Sequence, residues 1–162
     1  SNIDCMTPLS FGGGIRDSSI LHKLHVLPIE RILINSSFIE RDEALLSTAI
    51  RLFGKQALVA VLPYRVVDGR LEYFHSRLNN FTDCDLDFVQ QYSNEVMFYN
   101  TNLEGSSTIH PQSIFDFPLP NSKIILSGGI NRALILQAKK LNFSAISFDN
   151  SSLHKEFNFS EL

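Results

Sequence analysis

The sequence predicts an α/β protein whose parallel sheet has the strand–helix alternation of a (β/α) barrel. Two observations support this prediction: short apolar strands alternate with amphipathic helices, and one strand–turn–helix–strand pattern occurs twice. Parallel strands that are buried on both faces read as continuous apolar runs, and helices return the chain between them. Repeated strand–helix pairs with matching spacing favour a barrel over an open sheet.

The elements follow one another without long linkers. The predicted strands, each a short apolar run, are residues 6–15, 31–35, 57–62, 95–99, 123–127 and 144–148. The predicted helices, each with apolar residues at helical spacing, are 20–24, 40–53, 82 or 83 to about 92, 113–117 and 133–138.

Local signals indicate where several elements end. Asp42 precedes an apolar helical face and Gly54 follows it, which is typical of a capped helix. Thr82 or Asp83 is expected to cap the helix that runs to about residue 92. Asp68 and Gly69 stand between alternating apolar residues, and this pair predicts a β-hairpin turn.

Composition and charge exclude several classes of protein. With 162 residues, 44% of them hydrophobic, the chain can bury the core of a single domain over residues 1–162. The net charge of −3 argues against a nucleic-acid binder, and no apolar run reaches the length of a membrane span. Cys5 and Cys84 form neither a disulfide framework nor a metal-binding pattern. We therefore expect a cytoplasmic protein without metal or cofactor.

An internal repeat is the sharpest feature of the sequence. Gly13-Gly14-Ile15 is followed by Asn35-Ser36-Ser37, and Gly128-Gly129-Ile130 is followed by Asn150-Ser151-Ser152. Asn35 lies 22 positions after Gly13, and Asn150 lies 22 positions after Gly128. The two copies are 115 residues apart. Each copy runs from a strand through glycines and a helix to a second strand.

Both copies of the repeat are suited to phosphate binding. Glycines at the carboxyl end of a strand leave backbone N–H groups unobstructed where a helix begins. Asparagine and serine after the next strand add short hydrogen-bond donors. Two such sites predict an elongated ligand with a phosphate at each end. The alternative is that the glycines serve close packing and the Asn-Ser-Ser runs are turns.

Several segments resemble the cyclase subunit of imidazole glycerol phosphate synthase. The resemblance is strongest in residues 8–16, 32–37 and 53–61, and the predicted hairpin fits the one after that family's fifth strand. Residues 102–106 resemble the family's loop after the sixth strand, and residues 125–129 resemble its glycine turn after the seventh.

This resemblance implies a TIM-type (β/α)8 barrel, of which the chain would cover about strands 3 to 8. Six strands cannot close a barrel, so we expect either a fragment or a short form that associates with another chain. The family's cyclase, a lyase of histidine biosynthesis, takes ammonia from a partner glutaminase and acts on a phosphorylated substrate. A branch of the family is linked to surface-polysaccharide synthesis, where ammonia would aminate a sugar, and we expect that branch here.

The phosphate-binding residues follow from the repeat and the resemblance together. They are Gly13, Gly14, Asn35, Ser36, Gly105, Ser127, Gly128, Gly129 and Asn150. Glu30 and Arg31 open a strand at the end of the barrel where the family docks its glutaminase. They are expected either to face a partner or to form an ordinary exposed ion pair.

The acid–base residues of the family are not matched. The family uses aspartates at the ends of its first and fifth strands. The fifth-strand position falls on Pro63, and the first-strand position would lie upstream of Ser1. Asn102, Leu103 and Glu104 stand where the family's sixth-strand loop has aspartate, arginine and aspartate. The sequence therefore names no catalytic residue, and the alternative to a cyclase is a degenerate barrel that binds a phosphate ligand or a partner without turnover.

Overall fold

A computed structural model describes residues 8–103, 117 and 119–147. Its strands in chain order are β1 (Ser10–Gly12), β2 (Arg31–Ile34), β3 (Leu58–Val67), β4 (Arg70–His75), β5 (Asn80–Thr82), β6 (Glu95–Asn100), β7 (Ile124–Ser127) and β8 (Ala145–Ser147). Six of these strands pair in parallel in the order β1-β2-β3-β6-β7-β8. The sheet curls into a half-barrel, which confirms the predicted fold class.

Within the described residues, five α-helices accompany the sheet. They are α1 (Ser18–His25), α2 (Ser36–Ile39), α3 (Glu43–Phe53), α4 (Leu86–Tyr92) and α5 (Arg132–Lys140), and single 3-10 turns precede β3 and β7. Their apolar side chains pack on one face of the sheet and form a single core with it. Within the ranges the structure describes, no helix combines the length and the apolar character that crossing a membrane requires.

Side chains of β3 alternate between this core and the opposite face of the sheet. Leu62 and Tyr64 are at most 1% exposed on the helix-covered side, whereas Val61 and Pro63 are only half-buried on the other side. Alternation with a period of two is the geometry of any strand, so consecutive residues of β3 serve different surfaces. The half-buried set faces the candidate site described below.

Two predicted element boundaries are confirmed: the ends of α3 and the hairpin turn between β3 and β4. Asp42 accepts a hydrogen bond from the Leu45 N–H at 3.0 Å, and α3 ends where Gly54 takes a φ of 81°. The hairpin turns at Asp68 and Gly69, whose φ values of 49° and 75° are both left-handed. Such a pair of residues matches the twist of the β3 and β4 strands that it joins.

The predicted cap of the helix that runs to about residue 92, which is α4 in the structure, was wrong. Thr82 belongs to β5 and Asp83 follows that strand, so the helix begins later, and Asp85 accepts a hydrogen bond from the Phe88 N–H at 3.0 Å. The four-residue helix α2 was not predicted, because it is too short for apolar residues to recur at helical spacing along it. The predicted helix at residues 113–117 lies outside the described residues except for Phe117.

Candidate functional site

The carboxyl ends of the parallel strands border a cavity of about 750 Å³. It lies where the turn after β1, the end of β2, the strand β3 and the loop between β4 and β5 meet. Its lining consists of residues 12–16 and 33–36, Val61, Pro63, Phe74, Ser76, Arg77, Tyr99 and Thr101. Parallel α/β folds bind their ligands at this end of the strands, which makes the cavity the candidate site.

The glycine turn after β1 forms one wall of the cavity. A Cβ on Gly12 would lie 2.7 Å from the Cβ of Leu33, so this glycine permits close packing of β1 on β2. Gly13 and Gly14 differ from Gly12, since a Cβ on either would meet no atom within 4 Å. Their φ values of 93° and 70° are left-handed, a region that favours glycine. Both residues are exposed, and their backbone is open to a ligand.

The helix that follows this turn has its own acidic cap. The Asp17 carboxylate accepts hydrogen bonds from the Ser19 N–H at 2.8 Å and the Ile20 N–H at 3.2 Å. Hydrogen bonds from the Ser19 side chain and the Ile20 backbone hold the pKa of Asp17 below its usual value. Because a carboxylate already occupies the first turn of α1, an anion in the cavity would meet the glycine backbone rather than the helix end.

Asn35 holds the walls of the cavity together. Its Nδ2 donates to the Val61 carbonyl at 2.9 Å and the Phe74 carbonyl at 3.3 Å, and its Oδ1 accepts from the Ser76 N–H at 3.3 Å. Since its amide is engaged with the backbone of β3, of β4 and of Ser76 at the start of the β4–β5 loop, Asn35 positions that loop. The adjacent Ser36 hydroxyl lies 2.8 Å from the Ser76 hydroxyl, and both residues line the cavity.

Among the described residues of the lining, the charged ones are Arg16 and Arg77. Arg16 is exposed, and no ion pair links it to the residues that the structure describes. Arg77 Nη1 lies 2.9 Å from Glu40 Oε2, and Glu40 Oε1 lies 3.1 Å from Nε2 of the buried His75. Glu40 itself does not line the cavity.

Pro63 lies on the lining, at the position where the family resemblance implies a catalytic aspartate. Its Cα partner across the sheet is Tyr99, another lining residue. The described lining contains no carboxylate, imidazole or thiol, and its one side chain of the usual acid–base types is the phenol of Tyr99. Asn102 and Leu103 lie in the turn after β6 and do not line the cavity, and Glu104 lies outside the described residues.

The second glycine turn has different surroundings. Ser127 ends β7, and a Cβ on Gly128 would lie 2.7 Å from the Asn100 carbonyl oxygen. Asn100 is buried, and its Nδ2 donates to the Tyr64 hydroxyl at 3.2 Å. Burial raises the pKa of Tyr64 well above its ordinary value. Gly128 and Gly129 both have left-handed φ values, yet neither they nor Ser127 line the cavity.

The structure thus brings four of the predicted phosphate-binding residues together. Gly13, Gly14, Asn35 and Ser36 line one cavity, whereas the glycine turn after β7 lies apart from it. Gly105 and Asn150 lie outside the described residues. A second phosphate site stays a prediction.

A polar cluster lies at the opposite, amino-terminal end of the sheet. The carboxylate of Glu95, only 6% exposed, contacts Arg31 Nη1 with one oxygen and the Ser144 hydroxyl with the other. Arg31 therefore pairs with Glu95 of β6, not with the neighbouring Glu30. A partner-facing role for this end of the sheet stays a prediction.

Sequence reasoning missed Arg16, Ser76 and Arg77. Arg16 follows the first Gly-Gly-Ile segment directly, and a basic residue there was an available signal. Ser76 and Arg77 had none, because the contact between Ser76 and Asn35 joins residues 41 positions apart.

Comparison with known proteins gives a distant relationship. No family model matches the chain. The chain is 24% identical over 132 residues to imidazole glycerol phosphate synthase subunit HisF of Thermotoga sp. (strain RQ2), an alignment that covers 77% of the chain and 52% of that relative. The chain spans about half the length of the curated relative it matches. This identity and the curled parallel half-barrel together support a distant relationship to HisF.

Proposed function

We propose that this chain binds a phosphate-bearing small molecule in the cavity at the carboxyl ends of its strands. The observation that carries the proposal is the pair Gly13 and Gly14, which have left-handed backbones with open space beside them. They line a cavity whose charged side chains are both arginine. Backbone N–H groups at strand ends and guanidinium groups are recurring ligands of phosphate oxygens.

Neutral donors complete this set. The hydroxyls of Ser36 and Ser76 face one another at 2.8 Å, and each can turn its proton toward a ligand oxygen. Glycine backbone, hydroxyl and guanidinium groups come from three separate segments of the chain that meet at the cavity. Such convergence of donors, without an acidic side chain in the lining, suits an anion.

Binding without turnover is the version of this function that the described lining supports. Proton transfer in a cyclisation needs an acid and a base within hydrogen-bond reach of the substrate. Pro63 has no proton to transfer, and the described lining offers a single acid–base side chain, the Tyr99 phenol, where the cyclisation needs two groups. The degenerate barrel anticipated above therefore stands as the first candidate.

The second candidate is a cyclase role in a glutamine-dependent synthase, favoured by the identity to HisF. In this role the chain would act with a glutaminase-type partner that supplies ammonia, and the cavity would hold the phosphate of the substrate. Amination of a sugar in surface-polysaccharide synthesis is a variant of this candidate that differs in the substrate alone.

The test of phosphate binding uses a matched pair of glycine variants. Gly14 and Gly69 both have left-handed φ values and open space beside them, but only Gly14 lines the cavity. Titration of the full chain with ribose 5-phosphate, followed by NMR of backbone amides, should shift the signals of Gly13 and Gly14. G14A should weaken this binding at least fivefold, whereas G69A should bind as the unmodified chain does.

Equal binding by G14A and G69A, or no response of the Gly13 and Gly14 amides, would refute the proposed site. Ammonia-dependent turnover separates the two candidates. Cyclisation of the family's bis-phosphorylated substrate by the full chain, lost in G14A, would establish the second candidate, and binding without product would establish the first.

A further inference from the structure

Arg77 reaches the cavity through a loop that the rest of the site holds in place. The Asn35 side chain bonds on both sides of His75, to the Phe74 carbonyl in β4 and to the N–H of Ser76, the first residue of the loop that joins β4 to β5. Arg77 is the next residue and lines the cavity. Because the end of β4 and the first residue of the loop are both bonded to Asn35, the Arg77 side chain that follows is kept at the cavity.

Glu40 competes for the Arg77 guanidinium. The two side chains form an ion pair at 2.9 Å, with 42% of the Arg77 side chain and 24% of the Glu40 side chain exposed. A pair this exposed contributes little stability, because water screens the two charges. A doubly charged phosphate in the adjacent cavity would offer Arg77 a stronger partner than one carboxylate.

Glu40 retains a partner when Arg77 leaves it. Its second oxygen lies 3.1 Å from Nε2 of His75, a side chain only 4% exposed. The other ring nitrogen, Nδ1, accepts a hydrogen bond from the Leu78 N–H at 3.3 Å. In the neutral ring this places the proton on Nε2, where it faces Glu40. Glu40 therefore remains anchored to a buried donor, and Arg77 can exchange partners at low cost.

We propose that Arg77 is the charge-selecting ligand of the cavity and exchanges Glu40 for the phosphate of a doubly charged monoester. This inference rests on the proposed phosphate-binding function and adds a specificity: dianionic phosphomonoesters are preferred over singly charged phosphodiesters. Gly13, Gly14 and the serines supply hydrogen bonds to either class, because neutral donors respond to geometry more than to total charge. Arg16 supplies one positive charge, which a monoanion also satisfies, and Arg77 supplies the second, which matches the second charge of a dianion.

The experiment compares methyl phosphate with dimethyl phosphate at pH 8, where the first is a dianion and the second a monoanion. NMR titration of the full chain at constant ionic strength, read at the Gly13 and Gly14 amides, gives both dissociation constants. R77Q should bind methyl phosphate about tenfold more weakly, the loss expected for one charge-assisted hydrogen bond, and dimethyl phosphate nearly as well as before. E40Q should bind methyl phosphate about threefold more tightly, because it removes the competing charge and keeps a hydrogen-bond acceptor.

R70Q is the matched control, since Arg70 is exposed at the start of β4 and does not line the cavity. It should bind both probes as the unmodified chain does. An R77Q chain that binds methyl phosphate as tightly as R70Q does would overturn the role of Arg77 and leave the proposed function intact. An E40Q affinity equal to or below that of the unmodified chain would overturn the exchange. An unmodified chain that does not bind methyl phosphate would refute the proposed function and this inference together.

Discussion

The two Gly-Gly-Ile turns have the same residues and the same φ sign, but their surroundings differ. Beside Gly13 and Gly14 there is open space that belongs to a cavity. Beside Gly128 the backbone of Asn100 is so close that a Cβ would lie 2.7 Å from its carbonyl oxygen. One turn exposes its backbone, and the other is pressed against a neighbouring strand.

The neighbouring strand accounts for this difference. Gly128 follows β7 beside the end of β6, where Asn100 is buried with its amide donating to the Tyr64 hydroxyl. At the first turn, by contrast, no atom lies within 4 Å of a Cβ on Gly13 or Gly14. A glycine pair at a strand end therefore permits two roles, and the adjacent strand determines which role it has.

The largest expected effect is on stability at the second turn. G128A should lower the free energy of unfolding by about 3–4 kcal/mol, because the new methyl group combines a left-handed backbone with a contact against immobile main-chain atoms. G14A has only the backbone cost and should lose about 1–2 kcal/mol. Urea denaturation of both variants measures the difference. Equal losses would mean that the two turns have equivalent surroundings and that Gly128 is not more closely packed than Gly14.

The contrast between the turns also shows what a sequence can predict. The continuous apolar strands, the Asp42 cap and the Asp68–Gly69 hairpin depend on residues adjacent in the chain, and each was predicted. The partner of Gly128 lies 28 positions earlier, in another strand, so the sequence could not tell an open glycine from a packed one.

Contacts between distant residues also account for the wrong helix cap and for the missed Arg77. Thr82 and Asp83 have the side chains of helix caps, but the short strand β5 pairs with β4 and delays the helix to Leu86. Arg77 enters the site because a hairpin folds back onto Asn35. Such tertiary pairing overrides local preference and leaves no local trace in the sequence.

The next largest effect is expected at Asn35, which ties the walls of the first site together. N35A should lower the free energy of unfolding by about 2 kcal/mol, because it leaves the Val61 and Phe74 carbonyls and the Ser76 N–H without their partner. Amide hydrogen exchange at Ser76 should accelerate as the loop is released. Urea denaturation and exchange followed by NMR measure the two effects.

A variant at Asn131, which follows the second glycine turn, is the control for N35A. Its side chain accepts a hydrogen bond from the Leu134 N–H at 2.9 Å and caps α5. N131A should cost about 1 kcal/mol, as lost helix caps do, and leave exchange at Ser76 unchanged. Faster exchange at Ser76 in N131A, or unchanged exchange in N35A, would contradict the positioning role of Asn35.

The smallest effect is expected between the two serines at the first site. Their hydroxyls are 2.8 Å apart on an exposed surface, where water can replace either partner. A double-mutant cycle of S36A, S76A and the double variant should therefore give a coupling of about 0.5 kcal/mol or less in urea denaturation. A coupling above about 1.5 kcal/mol would show that these hydroxyls are committed to each other, as the buried Asn100 amide is to Tyr64. Weak coupling is what a ligand site requires, because hydroxyls that bind each other weakly can turn toward phosphate oxygens at little cost.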